Sequence, residues 1–380
     1  MNKRSRWLAT LMVTFGLLSC NSGDQQGKSL VISNTLAVDR AELASVPYPQ
    51  FIQLLADKQD DKGFKLLDDQ GKEYAYQLEK LGSDSVVNVL VWVEVPANGE
   101  LTLHLVEGEP AAVKSKTFAR YVPERYDDFA WENDKIAFRM YGKALEGRPD
   151  DAQGLDIWAK RTDKLVIDEW YKTGDYHKDH GDGLDYYAVG MTLGAGDIAP
   201  YVDGHIVYSK HYREHQILDN GPLRTTFRLT YEPWQVKGQE VAVTKTISLD
   251  AGSQLNKVEA VYQYNGGEEL PLVAGIALRK EGDGKLIKNP EKGIAAYWEP
   301  THGADGTLGV AVIGQKSLVN VTEGEGQLLA HFSATANEPL VYYNGGAWDK
   351  AGKVVNAQEW ELYLKAYKEK INNPLRVSIN

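Results

Sequence analysis

Short runs of residues that alternate between apolar and polar side chains recur along most of this chain, and glycine, asparagine and proline separate them. The clearest runs cover residues 241–249 and 257–264, and others cover 273–278, 307–313 and 327–333. Alternation with a period of two places one face of a strand in a core and the other in water. The pattern therefore predicts a mainly β protein built as a large antiparallel β-sandwich.

The same pattern divides the chain into two folded parts. Short strands over residues 30–119 predict an N-terminal β-sandwich module, and residues 120–380 are predicted to form the larger, catalytic domain. Residues 357–371 predict one amphipathic helix that covers a side of the sandwich. Its apolar stripe is Trp360, Leu364, Tyr367 and Ile371, and its capping box is Asn356 with Glu359.

The first 20 residues have the layout of an export signal, with a basic start, an apolar run and the sequence Leu-Leu-Ser-Cys. Cys20, the one cysteine of the chain, fits the lipid-attachment site of bacterial lipoproteins, and residues 21–29 would be a polar tether. The sequence predicts an exported lipoprotein, periplasmic or on the cell surface, that touches the membrane only through the lipid on Cys20. An ordinary secreted protein with a stray cysteine is the alternative.

The composition narrows the choice of ligand. A formal net charge of -11 argues against nucleic acid, because phosphate binding requires a basic surface. Nine tryptophans and 21 tyrosines are typical of proteins that stack aromatic rings on sugar faces. These features predict a carbohydrate ligand and no nucleic-acid partner.

Five of the eight histidines fall in one short stretch: His177, His180, His205, His211 and His215. Imidazoles titrate near neutral pH, which suits proton transfer. His177 and His180 are three residues apart with acids beside them, so a divalent metal ion there is an open alternative. A zinc site, however, needs a third or fourth ligand at a recognisable spacing.

A hairpin with a tight turn at residues 220–221 is the strongest local prediction. If those two residues form the loop, paired residue numbers sum to 441 and one strand face carries His211, Arg213, His215, Arg224, Thr226, Arg228 and Thr230. Arg213 would then face Arg228, a like-charge pair that an anionic ligand would stabilise. The alternative is a solvated face whose arginines pair with acids of a neighbouring strand.

Two further segments carry candidate binding residues. Trp158 and Lys160 share one face of a predicted strand and could form a stacking wall with a charged group, with core packing as the alternative. Trp348 lies in a glycine-rich loop that could form the lip of a sugar groove.

Six segments together carry a family resemblance: ERYDDFAWENDKIAFRMYG, DIWAKR, DYHKDHGDGLDYYAVG, ILDNGPLRTTF, SLDAGSQLNK and the closing WDKAG with its helix. Over most of residues 30–377 the chain resembles a bacterial family known as domain of unknown function 4861. The resemblance implies a fold related to the galactose-mutarotase-type β-supersandwich and a place among polysaccharide-degrading systems. One branch of that family is an oligosaccharide dehydratase on ulvan fragments, which removes water from a non-reducing-end uronic acid to leave a 4,5-unsaturated residue.

The resemblance implies an acidic oligosaccharide, ending in glucuronate or iduronate, as the substrate, and no required cofactor. It makes His177, His180 and Tyr187 the first catalytic candidates, with Trp158 and Lys160 as supporting contacts. The hairpin argument adds His211 and His215 as catalytic candidates and Arg213 and Arg228 as binding residues. Such chemistry needs a base for the C5 proton, an acid for the departing hydroxide and a cation for the carboxylate.

Two other functions remain compatible with the sequence. A glycoside hydrolase acting on uronides would use Glu132 or Asp128 as one of its paired carboxylates, although acids beside arginines are often only structural partners. A non-catalytic, mutarotase-like sugar-binding protein would use the same groove without consuming its ligand.

Overall fold

The structure, a computed structural model, describes residues 28–55 and 63–380. The predicted signal sequence 1–20, Cys20 and most of the predicted tether 21–29 lie outside the described residues. Within the described part the chain is mainly β, with 49% strand and 11% helix, so the predicted fold class is confirmed. No helix of that part is long and apolar enough to cross a membrane.

The described chain forms 27 strands and three helices. The strands are β1 (Ser29–Ser33), β2 (Arg40–Pro47), β3 (Phe64–Leu67), β4 (Glu73–Tyr74), β5 (Tyr76–Glu79), β6 (Asn88–Val95), β7 (Glu100–Glu107), β8 (Thr117–Val122), β9 (Asp128–Asn133), β10 (Ile136–Met140), β11 (Leu155–Lys160), β12 (Gly183–Leu184), β13 (Ala195–Val202), β14 (His205–Ile206), β15 (Glu214–Asn220), β16 (Arg224–Thr230), β17 (Trp234–Val236), β18 (Gln239–Asp250), β19 (Leu255–Tyr264), β20 (Leu270–Ala277), β21 (Lys285–Asn289), β22 (Ile294–Trp298), β23 (Leu308–Gly314), β24 (Asn320–Gly324), β25 (Gln327–Ala334), β26 (Pro339–Trp348) and β27 (Arg376–Ile379). The helices are α1 (Tyr48–Phe51), α2 (Ile167–Thr173) and α3 (Ala357–Asn372).

Two sheets form the N-terminal module, one in the order β27-β1-β7-β3-β4 and one in the order β2-β6-β5. They bury a core of their own that includes Val91 and Leu103. The last strand of the chain pairs with the first, with Leu30 opposite Ile379. The module predicted at 30–119 therefore also contains β27, and its predicted end falls inside β8, which pairs with β9 of the larger domain.

The larger domain is a sandwich of antiparallel sheets. Its largest sheet has the order β15-β16-β18-β19-β26-β23-β22-β21, with β17 beside β18. Two five-stranded sheets, β12-β11-β10-β9-β8 and β14-β13-β20-β25-β24, are linked by a bridge between Leu155 and Gly194. Their inner faces share one large core with the nine-stranded sheet, where Phe129 of β9 packs on Phe227 of β16. The predicted β-supersandwich is confirmed.

Helix α3 packs on β22 and β23, where Trp360 and Leu364 are fully buried. The side chain of Asn356 accepts a hydrogen bond from the backbone N–H of Glu359 at 2.9 Å. Glu359 accepts one from the backbone N–H of Val355, also at 2.9 Å. The predicted helix and its cap are therefore confirmed.

The hairpin of β15 and β16 has a different register from the predicted one. Gln216 pairs with Arg228, so paired numbers sum to 444, and they sum to 445 at Asn220 and Thr225 beyond a bulge. Asn220 remains in the strand because its side chain hydrogen-bonds both the N–H and the carbonyl of Ala119 on β8, at 2.8 and 2.9 Å. The predicted two-residue turn at 220–221 is therefore wrong.

This register separates side chains that the prediction had placed on one face. A shift by an odd number of residues exchanges the two faces of a strand. His215 pairs with Leu229 and lies on the inner face, whereas Arg228 is exposed on the outer face. The predicted Arg213–Arg228 pair does not exist, and Arg213 pairs with carboxylates instead.

The outer face of the β8–β12 sheet is covered by the segment that contains α2, so every residue of β9, β10 and β11 is buried. Glu132 accepts hydrogen bonds from the backbone N–H groups of Val166 and Ile167 at the start of α2, at 2.7 and 2.8 Å. Its other carboxylate oxygen accepts one from Lys160 at 2.5 Å. This burial contradicts the predicted substrate contact at Lys160 and a hydrolase role for Glu132.

Replacing Lys160 with Met leaves the buried Glu132 carboxylate without its cation, so we expect the free energy of unfolding to fall by about 3–5 kcal/mol. The double variant Glu132→Gln with Lys160→Met removes both charges and should recover more than half of that loss. Chemical denaturation at pH 7 measures all three proteins. Unchanged stability of the single variant would contradict an internal role for the pair.

Candidate active site

A cavity of about 210 Å³ opens at one edge of the sandwich, where β15 of the nine-stranded sheet meets β8. We call it the edge pocket, and its walls are Tyr121, Asp127, Lys143, Tyr212, Arg213 and His215. The pocket combines an imidazole, two phenols, a carboxylate and two cations, which are residue types used in acid–base chemistry. Of the predicted site residues, Arg213 and His215 lie here.

Backbone geometry shapes one wall of the edge pocket. Tyr126 and Asp127 both have a left-handed backbone, with φ of 53° and 63°, a conformation that costs about 1–3 kcal/mol at such residues. Gly142 permits this turn, because a Cβ at that position would lie 1.8 Å from the carbonyl oxygen of Asp127. Strained residues that the surrounding fold holds in place are typical of functional sites.

His215 provides a neutral base in the edge pocket. Its ring stacks on that of Tyr121, with centroids 4.5 Å apart and planes at 17°. Burial lowers the pKa of His215 below its usual value of 6.5, so the imidazole is neutral at pH 7. Among the described residues neither ring nitrogen has a hydrogen-bond partner, so His215 can accept a proton from a ligand.

Asp127 orients the two tyrosines of the edge pocket. The Tyr121 hydroxyl donates a short hydrogen bond to the Asp127 carboxylate, and the Tyr212 hydroxyl donates one to its backbone carbonyl. The hydrogen bond to Asp127 raises the pKa of Tyr121 to about 12, with burial contributing. Tyr121 is therefore protonated at pH 7 and can act as an acid beside His215.

The two cations of the edge pocket differ in their partners. Arg213 donates hydrogen bonds to Glu146 at 2.7 Å and to Glu232 at 3.0 Å, so two carboxylates balance its charge. Lys143 is exposed and has no carboxylate partner in the described part of the chain. Lys143, and not the predicted Arg213, is thus the cation available to an anionic ligand.

A second charged group, which we call the Arg139 cluster, lies buried next to Asp127. Arg139 is 2.5 Å from a carboxylate oxygen of Asp156, 3.1 Å from one of Asp185 and 3.6 Å from one of Asp128. Burial raises the pKa of Asp128 to about 6 and that of Asp185 well above its usual range. Asp128 can therefore hold a proton near pH 6, and burial favours the protonated form of Asp185 as well.

His177 lies where the Arg139 cluster meets solvent. Its Nδ1–H donates a hydrogen bond to the backbone carbonyl of Asp185 at 2.9 Å, which leaves Nε2 as an acceptor. The His177 side chain is 64% exposed. Residues from three of the segments that carry the family resemblance, ERYDDFAWENDKIAFRMYG, DIWAKR and DYHKDHGDGLDYYAVG, thus converge at this cluster.

Of the remaining predicted site residues, Trp158 and His211 contact the two groups from the core, and the others lie apart from both. The Trp158 indole N–H donates a hydrogen bond to Asp156 at 3.3 Å, and the His211 carbonyl accepts one from Arg213 at 3.0 Å. His180 is exposed and pairs with Asp175 at 2.9 Å, and Arg228 is exposed on the opposite side of its strand from His215. Four others are buried, with exposed fractions of 0% for Trp158, 4% for Tyr187, 4% for His211 and 2% for Trp348. The prediction of a single imidazole-lined and guanidinium-lined wall is therefore wrong.

The four buried residues have internal partners. Trp158 stacks between Trp170 and Tyr176, Tyr187 donates to the carbonyl of Gly194 at 2.9 Å, His211 bonds the carbonyl of Ala152 at 2.9 Å, and Trp348 donates to the carbonyl of Asp305 at 2.8 Å. These contacts place the residues in the core and not on a stacking wall, a polar strand face or a groove lip.

Within residues 28–55 and 63–380, no three His, Cys, Asp or Glu side chains are grouped to hold a metal ion. His177 and His180 hydrogen-bond different residues, Asp185 and Asp175. A third ligand for a metal ion near these histidines, the alternative left open by the sequence, is not found in the described part of the chain.

Four residues of the edge pocket, Tyr121, Asp127, Lys143 and Tyr212, were not predicted from the sequence. They come from β8, the turn before β9, the turn after β10 and the segment that precedes β15, and only sheet packing brings them together. Only Tyr212 had a local signal in the sequence, because it is adjacent to the predicted binding residue Arg213.

The family model described as "Domain of unknown function (DUF4861)" matches residues 32–377. The chain belongs to this family. "Uncharacterized protein P7" of Formosa agariphila is 31% identical over 385 residues, which cover 95% of each chain.

Two solved structures resemble this DUF4861 chain in fold. One is an alpha-mannosidase from Enterococcus faecalis V583, with 11% identity and a TM-score of 0.49, and the other is a glycosyl hydrolase family 38 protein from Enterococcus faecalis, with 12% identity and a TM-score of 0.51. Each match covers 94% of this chain but only 46% and 48% of the solved chains. The DUF4861 chain thus spans less than half the length of these structures.

His211 bonds the loop that carries Glu146 and Lys143, so we expect His211→Ala to lower the free energy of unfolding by about 2 kcal/mol. His205→Ala is the matched control, because that side chain is 79% exposed, and it should change stability by less than about 0.5 kcal/mol. Denaturant titrations compare the two. A His211→Ala protein of full stability and no activity would support the catalytic role predicted from the sequence.

Proposed function

We propose that this protein is a carbohydrate-active carbon–oxygen lyase, a dehydratase that eliminates water from the non-reducing-end uronic acid of an oligosaccharide. The observation that carries the proposal is the convergence of neutral His215, protonated Tyr121 and unpaired Lys143 on one open cavity. Membership of DUF4861 and the fold shared with a glycosyl hydrolase family 38 protein support the broader class.

The proposed reaction assigns one task to each of these residues. Lys143 pairs with the uronate carboxylate and stabilises the negative charge that grows beside C5. His215 accepts the C5 proton, the C–H electrons form the C4–C5 double bond, and the C4–O bond breaks. Tyr121 protonates the departing hydroxide, which leaves as water. The imidazolium then loses its proton to solvent and the Tyr121 phenolate takes one from solvent, which restores both groups.

The size of the edge pocket supports action at a chain end. Sites that enclose drug-sized ligands have volumes of roughly 300–1,000 Å³. At about 210 Å³ the edge pocket is smaller and suits a single sugar ring. The terminal uronate would occupy the pocket, and the rest of the oligosaccharide would lie outside it.

A second candidate function is hydrolysis of uronides at the Arg139 cluster. Asp128 has a pKa raised to about 6 and a carboxylate oxygen without a hydrogen-bond partner among the described residues, features suited to a general acid. Asp128 is fully buried, however, which makes it less accessible than the edge pocket. Hydrolysis adds one water to the products, whereas dehydration removes one, so mass distinguishes the two.

We expect His215→Ala to reduce turnover of uronate-terminated oligosaccharides about 10²–10⁴-fold, because general base catalysis contributes by that factor. Mass spectrometry for loss of water, with ultraviolet absorbance of the new double bond, measures the reaction. His177→Ala is the control that separates the two sites. If His177→Ala loses activity and His215→Ala keeps it, the reaction takes place at the Arg139 cluster and not in the edge pocket.

We expect kcat/KM to rise with pH through a pKa below 6.5 and to stay level to about pH 9. The base must be unprotonated, and burial lowers the pKa of His215. The acid must be protonated, and the pKa of Tyr121 is about 12. Rates from pH 4.5 to 9 in buffers of constant ionic strength provide the test. A rate that falls between pH 6.5 and 9 would contradict these assignments.

A further inference from the structure

We propose that Arg125 and Arg148, which both lie against the ring of Tyr126, form a second subsite that binds the acidic group of the sugar next to the one in the edge pocket. We call these three residues the arginine rim. This inference rests on the proposed function and identifies the substrate further, as an oligosaccharide with an oxyanion, a carboxylate or a sulfate ester, on its second residue.

One short loop connects the arginine rim to the edge pocket. It begins at Lys143 in the pocket wall, and its Glu146 forms an ion pair with Arg213 of the same wall at 2.7 Å. The loop then places the Arg148 guanidinium 4.0 Å from the ring centroid of Tyr126. Tyr126 immediately precedes Asp127, another residue of the pocket wall. The rim therefore borders the cavity.

The arginine rim carries more positive than negative charge. The Arg125 guanidinium lies 4.8 Å from the ring centroid of Tyr126 and donates a hydrogen bond from Nε to the Tyr176 hydroxyl at 3.3 Å. It has no carboxylate at ion-pair distance within the described residues. Arg148 has one such partner, Asp150, at 2.9 Å. The latter pair is largely exposed, and exposed ion pairs are weak, so a ligand oxyanion can compete for Arg148.

Tyr126 also holds the Arg148 guanidinium in a fixed orientation. Arg148 lies over the ring and donates a hydrogen bond to the Tyr126 hydroxyl at 3.0 Å. Stacking of this kind is favourable for a cation on an aromatic face. The Nε and Nη2 groups of Arg148 point together at the Asp150 carboxylate, at 2.9 and 3.5 Å. A ligand carboxylate or sulfate that displaced Asp150 would meet the same paired geometry.

The arginine rim lies where the second sugar of a substrate is expected, because the edge pocket has room for one sugar ring. A cavity that holds one ring leaves the second ring of a substrate outside it, against whatever borders the opening. Two guanidinium groups there, on a protein of formal charge -11, would distinguish an acidic second residue from a neutral one. The rim would therefore determine specificity and would not take part in bond breaking.

The test uses three uronate-terminated disaccharides whose second residue is neutral, carries a carboxylate or carries a sulfate ester. We expect Arg148→Gln and Arg125→Gln to raise KM about ten- to hundredfold for the acidic disaccharide that the wild type prefers, with kcat unchanged, and to leave the neutral one unaffected. Whichever acidic disaccharide the wild type prefers shows whether the rim binds a carboxylate or a sulfate ester. Arg120→Gln is the matched control, because Arg120 also lies over a tyrosine ring, that of Tyr171, but pairs with Glu124 and Asp168.

An equal rise in KM for the neutral and acidic disaccharides, or no rise for either, would overturn the subsite. If the wild type turns over none of the disaccharides, the proposed function fails. Calorimetric titration of the disaccharides into the protein then tests separately whether the arginine rim binds an acidic group. Tighter wild-type binding of an acidic disaccharide, lost in Arg148→Gln and retained in Arg120→Gln, supports the subsite. Equal affinity for neutral and acidic disaccharides rejects it.

Discussion

Packing between the inner faces of two sheets determines where this protein can do chemistry. Phe129 of β9 meets Phe227 of β16 with ring centroids 4.4 Å apart, and β16 is the strand next to the edge strand β15. The next inner-face side chain at that edge is His215, stacked on Tyr121. Among the described strands none continues the sheet beyond β15, and the inner face opens to solvent there. The edge pocket is thus the polar continuation of the core.

Charge in the larger domain follows a simple physical rule. Buried ions are costly unless they are paired, and Lys160 with Glu132 and Lys245 with Asp197 form such pairs, each at 2.5 Å. Cations near the edge pocket are exposed or half-buried, so they can remain unpaired without this cost. Lys143 and Arg125 have no carboxylate at ion-pair distance among the described residues. Their charges favour an acidic ligand at this edge, although the protein as a whole is acidic.

Two neighbouring residues, Asp127 and Asp128, face two different groups of ionisable side chains. Asp127 faces the edge pocket, where a neutral imidazole and a protonated phenol are accessible to a ligand. Asp128 faces the Arg139 cluster, where burial raises carboxyl pKa values. The proposed elimination of water needs a base and an acid at the same sugar ring, and the accessible pocket offers both. The buried cluster meets solvent at His177.

Local sequence determined the strands, the fold class and helix α3, because side-chain alternation and the Asn356 cap are properties of neighbouring residues. Tertiary contacts decided the site. The bond between Asn220 and Ala119 set the hairpin register, and the cover over β11 buried Trp158 and Lys160. Tyr121 and His215, 94 positions apart, meet only because two sheets pack. A sequence pattern records which face of a strand is apolar, but the strand that this face meets depends on the packing of the whole chain.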